Sequence, residues 1–138
     1  MEWLARVATI IHRPPAVLTA AAPKNGFTRI SAEQRAEIKN VITAGSINAN
    51  TSGVAAIAGR AQLANISNCT NYASVQNTAN YTAGIVGHVA YNYGAVTVSG
   101  CVNAGEIWSN RARSGGIVGN AENGKNSADT VIIENCCN

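Results

Sequence analysis

The sequence predicts an all-β fold: a parallel β-helix-like β-solenoid of about three coils, preceded by a short helix or cap segment. Three observations predict it. A block of fixed length recurs along the chain. Its apolar positions come in short β-type runs broken by Gly and Asn, not at the three- and four-residue steps of a helix. Small residues and amides dominate, with 24 Ala, 17 Asn and 13 Gly among 138 residues.

The composition also excludes several classes. A chain 46% hydrophobic is too apolar for disorder, and 12% charged residues leave too few for long salt-bridged helices. The net charge of +3 comes from interspersed residues without a basic run, which argues against nucleic acid as a partner. No apolar stretch approaches the roughly 20 residues of a membrane span. The apolar start, Met1 to Ile11, is interrupted by His12, Arg13, Pro14 and Pro15, and the order of its parts suits a secretory signal poorly.

Residues 1–37 lie outside the clear repeat and read as an N-terminal segment or cap. Ser31-Ala32-Glu33-Gln34 has the form of a capping box, predicting a short helix over 31–37 that runs into the solenoid. Solenoid ends need such cover, because an open coil presents unpaired backbone groups.

The repeats occupy residues 38–138, divided as 38–65, 66–97, 98–132 and a partial copy at 133–138. Their openings are Ile38-Lys39-Asn40-Val41, Ile66-Ser67-Asn68-Cys69, Val98-Ser99-Gly100-Cys101 and Ile133-Glu134-Asn135-Cys136. Each full copy reaches a second signature: Ile57-Ala58-Gly59, Gly84-Ile85-Val86-Gly87 and Gly116-Ile117-Val118-Gly119. From opening aliphatic to closing glycine the step is 21 residues every time, whereas successive openings are 28, 32 and 35 apart. The length variation therefore falls in 60–65, 88–97 and 120–132, as expected of a solenoid whose insertions gather on one edge. The last copy stops in mid-pattern. Either the chain continues in a longer protein, or its open edge stacks end to end on another copy.

Within each block, Ile47, Val75 and Ile107 predict one internal column, and Ile57, Ile85 and Ile117 another. Gly45, Gly59, Gly87, Gly105 and Gly119 are expected where the chain turns sharply at positive φ. Asn68 and Asn135 share one repeat position; Asn71, Asn103 and Asn138 share a second. A stacked amide ladder is favoured there over a ligand-binding array. Asn50, Asn65, Asn68 and Asn80 also sit in glycosylation sequons, which an Asn-rich repeat produces by composition.

Cys69, Cys101 and Cys136 share a position with Val41. An aliphatic equivalent favours a buried thiol ladder, with a strained intercoil disulfide and a metal site as the alternatives. Two His and the lack of a Cys-x-x-Cys pattern support no metal site, and no cofactor motif is present. Cys137 is the candidate exposed thiol.

These signatures, Gly-Ile-Val-Gly followed by Ile-Ser-Asn-Cys-x-Asn or Val-Ser-Gly-Cys-x-Asn-x-Gly, resemble the GLUG-motif repeats of bacterial cell-surface proteins. The likeness covers residues 38–138, and the first copy departs from the pattern at Val41, Thr43 and Ala56. It implies an extracellular or cell-surface module, an adhesin stalk whose partner is a glycan or a host or cell-surface protein. It transfers no catalytic residue.

No catalytic residue emerges from the sequence itself. Among the seven acids only Glu106 lies in a well-defined block, opposite Ser46 and Ser74. Glu122 and Asp129 share a loop and read as solvated, so the paired carboxylates of glycosidase chemistry are not recognisable. The expected function is a non-catalytic structural or adhesive solenoid; the alternative is a fragment of a carbohydrate-active β-helix enzyme with its catalytic coils elsewhere. Recognition is expected on the variable edge, at His88, Tyr91 and Tyr93 of segment 88–97, where ring surface and a hydroxyl suit sugar or protein contacts.

Overall fold

The computed structural model describes residues 35–90, 94–122 and 130–138. They form a parallel β-solenoid. Its first coil holds β1 (Ala36–Lys39), β2 (Ile42–Thr43), β3 (Ser46–Ala49), β4 (Val54–Ala55) and β5 (Ala58–Ala61). The second holds β6 (Ala64–Ser67), β7 (Thr70–Asn71), β8 (Ser74–Asn77), β9 (Thr82–Ala83) and β10 (Val86–Val89). The third holds β11 (Val96–Ser99), β12 (Val102–Asn103), β13 (Ile107–Ser109), β14 (Ser114–Gly115) and β15 (Val118–Ala121). A further strand, β16 (Val131–Glu134), begins a fourth turn.

Strands in the same place on successive coils pair in parallel, giving five sheets: β1-β6-β11-β16, β2-β7-β12, β3-β8-β13, β4-β9-β14 and β5-β10-β15. The register follows the repeat. Ile38 pairs with Ile66, Ile66 with Val98 and Val98 with Ile133. Strands of two to four residues have no stability alone; stacking supplies the backbone partners and buries the inward side chains.

Two aliphatic columns fill the interior. Ile47, Val75 and Ile107 are register partners, with Val75 fully buried. Ala58 donates its backbone N–H to Ile85 and Val86 to Ile117, which stacks Ile57, Ile85 and Ile117. Ile57 and Ile85 are buried; Ile117, in the third coil, is half-buried against the same core. Burying one such side chain contributes about 1.5–3 kcal/mol.

Two corners repeat a left-handed residue. Asn40, Asn68, Gly100 and Asn135 turn the chain after the first strand of each coil at φ of 58°, 53°, 60° and 53°. Gly53, Tyr81 and Arg113 do so before β4, β9 and β14, at 81°, 64° and 67°. Asn tolerates this geometry; Tyr and Arg adopt it rarely, and here the flanking β pairings hold them.

The glycine expectation holds at Gly45, where φ is 105°, and needs correction elsewhere. Gly59, Gly87 and Gly119 sit inside β5, β10 and β15, and their φ is not positive. They are small because backbone approaches them: a Cβ on Gly87 would lie 2.7 Å from the Gly59 carbonyl oxygen and 2.7 Å from the Val54 nitrogen. Gly119 repeats the pattern one coil on, 2.7 Å from the Gly87 oxygen.

The expected helix over 31–37 also needs correction where it can be seen. Residues 31–34 lie outside the described residues, but Ala36 and Glu37 belong to β1 and pair with Ala64 and Asn65. Pairing along β6 outcompetes one isolated helical turn, which has too few bonds to offset its nucleation cost. Arg35 reinforces this entry by donating from Nη1 to the Ala95 carbonyl at 2.9 Å.

Candidate functional site

The length differences between coils fall at one corner. The connections β5–β6, β10–β11 and β15–β16 span residues 62–63, 90–95 and 122–130, while the pairing register holds constant across the other corners of the three coils. Polar side chains cluster beside this edge. His88, in β10, is 9% exposed and lies in register between Arg60 of β5 and Asn120 of β15. Its ring stacks on Tyr81, with centroids 4.5 Å apart and planes at 22°.

Glu122, one residue past β15, is the acceptor at the centre of the cluster. Asn120 donates from Nδ2 to Oε1 at 3.0 Å, and Arg113 Nη1 lies 3.8 Å from the same oxygen. His88 Nε2 is 3.6 Å from Oε2, beyond a good hydrogen bond, and it is buried without a hydrogen-bond partner among the described residues. Arg113 also donates to the Tyr81 hydroxyl at 2.8 Å. Burial lowers the His88 pKa from the ordinary imidazole value, Glu122 opposes that shift, and Arg60 and Arg113 add to it. The arrangement fastens the second coil to the third at the base of segment 122–130. Gln62, on the first coil's corner, also has a buried Nε2 without a hydrogen-bond partner among the described residues.

The sequence-predicted site residues divide. His88 was expected on a loop and is instead a strand residue, because Val86 and Val89 of the same strand pair with both neighbouring coils. Val96 and Thr97 are likewise strand, so segment 88–97 shrinks to a 90–95 connection. Tyr91 and Tyr93 lie within it, outside the described residues. Sequence reasoning missed Tyr81, Arg113 and the bonding of Glu122. Tyr81 and Arg113 did carry a signal: they occupy the repeat position of Gly53.

The amide column is buried at Asn71 and Asn103. Thr43 donates to Asn71 Oδ1 at 2.7 Å, Asn71 Nδ2 to Asn103 Oδ1 at 2.8 Å, and Asn103 Nδ2 to Asn138 Oδ1 at 2.7 Å. Asn71 closes its own turn by accepting from the Ala73 backbone N–H at 2.8 Å. Asn77, fully buried, adds a second buried amide, donating to the Thr51 carbonyl at 3.0 Å and to Thr82 Oγ1 at 2.9 Å.

The cysteines are free thiols. Cys69 and Cys101 are fully buried, and each donates to the carbonyl two residues before it, Ser67 at 3.3 Å and Ser99 at 3.4 Å. Cys136 repeats this with Glu134 at 3.3 Å, and Cys137 is exposed. The hydrogen bond to Cys69, then burial, raise the Cys101 pKa far above the ordinary thiol value. Among the described residues no group of three or more His, Cys, Asp or Glu could hold a metal ion.

No protein-family model matches the chain, and comparison with the curated proteins and with the solved structures returns no match.

Proposed function

We propose that this chain is a non-catalytic β-solenoid repeat module, a structural stalk or adhesin of the bacterial cell surface that presents its corner segments to a glycan or protein partner. One observation carries the reading: the coils differ in length only at the corner spanning 62–63, 90–95 and 122–130. Stacking fixes every other corner, so this edge alone is free to vary, and variable loops on a rigid scaffold suit recognition. The GLUG-like repeat signatures point to the same setting. End-to-end association with a second copy, by added strands, belongs to this reading.

The test is paired. The double substitution Tyr91→Ala with Tyr93→Ala abolishes attachment of the purified protein to bacterial or host cells while leaving its melting temperature within about a degree. Retained attachment with a lowered melting temperature would make the rings packing residues and remove this corner from the site.

A further inference from the structure

A second surface lies on the outer side of the sheet β3-β8-β13, away from the variable corner. Its strands alternate cleanly. Ile47, Val75 and Ile107 face the interior, and Asn48, Gln76 and Trp108 form an exposed row in register. Ser46 and Glu106 are also exposed, and Ser74 is half-buried. Tyr72, at the corner entering β8, is 60% exposed, and Trp108 is 46% exposed.

The core has no need of these two rings. Beneath this face Val54, Ala56, Ala73 and Val75 are buried with Ile47, Ala49 and Ile107 packed on them. Singly exposed apolar residues are ordinary, but two large rings beside one row of amides form a definite chemistry. Gln76 lies four residues past Tyr72 and directly beside Trp108 on the next coil. The two rings' Cα atoms are therefore within roughly 15 Å, the reach of a short oligosaccharide.

Sugar rings offer an apolar C–H face and a rim of hydroxyls. Aromatic rings take the face, and amides and serine hydroxyls pair the rim. Charge narrows the class. Segments 42–49, 70–77 and 102–109 contain neither Lys nor Arg, and Glu106 is their one charged residue. An acidic polysaccharide would find no counter-charge there and one repulsive carboxylate. We infer that the outer face of β3-β8-β13 binds a neutral polysaccharide, with Trp108 and Tyr72 stacking on sugar rings and Asn48, Gln76 and Ser74 hydrogen-bonding their hydroxyls. This surface is separate from the corner, and either can bind without the other.

Affinity electrophoresis of the whole chain in native gels containing hydroxyethyl cellulose, laminarin, xylan or glucomannan tests the inference. At least one of these polymers retards the wild-type protein, and Trp108→Ala and Tyr72→Ala each weaken that retardation about five- to ten-fold. Gln76→Ala weakens it too, which covers the case of an aromatic variant that fails to fold. The Tyr91→Ala/Tyr93→Ala protein keeps full retardation, separating this surface from the corner. Absence of retardation by all four polymers, or retardation unchanged by Trp108→Ala and Gln76→Ala, would overturn the proposal.

Discussion

Asn71 donates from Nδ2 to Oδ1 of Asn103 across 2.8 Å, joining residues 32 positions apart in two successive coils. Both side chains are buried, and each also donates to a backbone carbonyl of its own turn, Ala73 and Gly105. Such a ladder rewards only the parallel, in-register arrangement. A slip of one residue would replace Asn71 with Thr70 or Tyr72 and leave its partners unpaired inside the molecule.

Replacing Asn71 by Leu keeps its bulk and removes the ladder's middle rung. Thr43, Asn103 and the Ala73 backbone then lose their partners in a buried site. The expected cost is about 2–3 kcal/mol, read as a lower urea midpoint with an unchanged slope. The same change at exposed Gln76 leaves the midpoint within about 0.5 kcal/mol.

Ile85 sits between Ile57 and Ile117 with no exposed surface. Ile85→Asp places an unpaired carboxyl there and unfolds the array, seen as loss of the β-type circular dichroism signal. Ile85→Val removes one methyl group and costs only about 0.5–1.5 kcal/mol.

Thiol titration separates exposed Cys137 from buried Cys69 and Cys101. Cys137, exposed, reacts with an aromatic disulfide reagent in the native protein. Cys69 and Cys101 react only after denaturation, since neither sulfur meets solvent and the Cys101 thiol is held protonated. Cross-linking of Cys69 to Cys101 in oxidised native protein would instead favour the intercoil disulfide.

His88 predicts an acid-side loss of stability. Its folded pKa lies below the unfolded value of 6.5, so the native state holds the neutral ring. Above both values the shift changes nothing. As pH falls through about 6.5 the unfolded chain takes up the proton first, and stability declines until the folded pKa is passed. Glu122, which opposes the shift, keeps the effect modest. The wild-type melting temperature therefore falls more between about pH 7.5 and 5 than that of His88→Gln; equal falls would dissociate the effect from this ring.

The solenoid was legible because its signals are local and recur. Ile57, Ile85 and Ile117 each stand two residues before the closing glycine of a 21-residue step, so their column needs no knowledge of the corners. Val41 in place of a cysteine marked that position as interior before any burial was known. The roles of Gly59, Gly87 and Gly119 were not legible, since positive φ and close backbone approach select the same residue. Tyr81 and His88 of the second coil meet Arg113 and Glu122 of the third only through stacking of the two coils. Each sits in a different strand or corner, so no spacing within one block displays them as a group. Strand pairing likewise overrode the capping-box pattern at Ala36 and Glu37, which a single sequence window cannot foresee.

The stacking itself is tested most directly by methyl nuclear Overhauser spectroscopy on isoleucine- and valine-labelled protein. Parallel coils lie about 4.7–4.9 Å apart, so methyl groups in adjacent rungs are within range. Cross-peaks are expected from Ile85 to both Ile57 and Ile117, and from Ile66 to both Ile38 and Val98. Absence of these four, with Ile85 and Ile66 showing contacts only to residues near them in sequence, would contradict the solenoid.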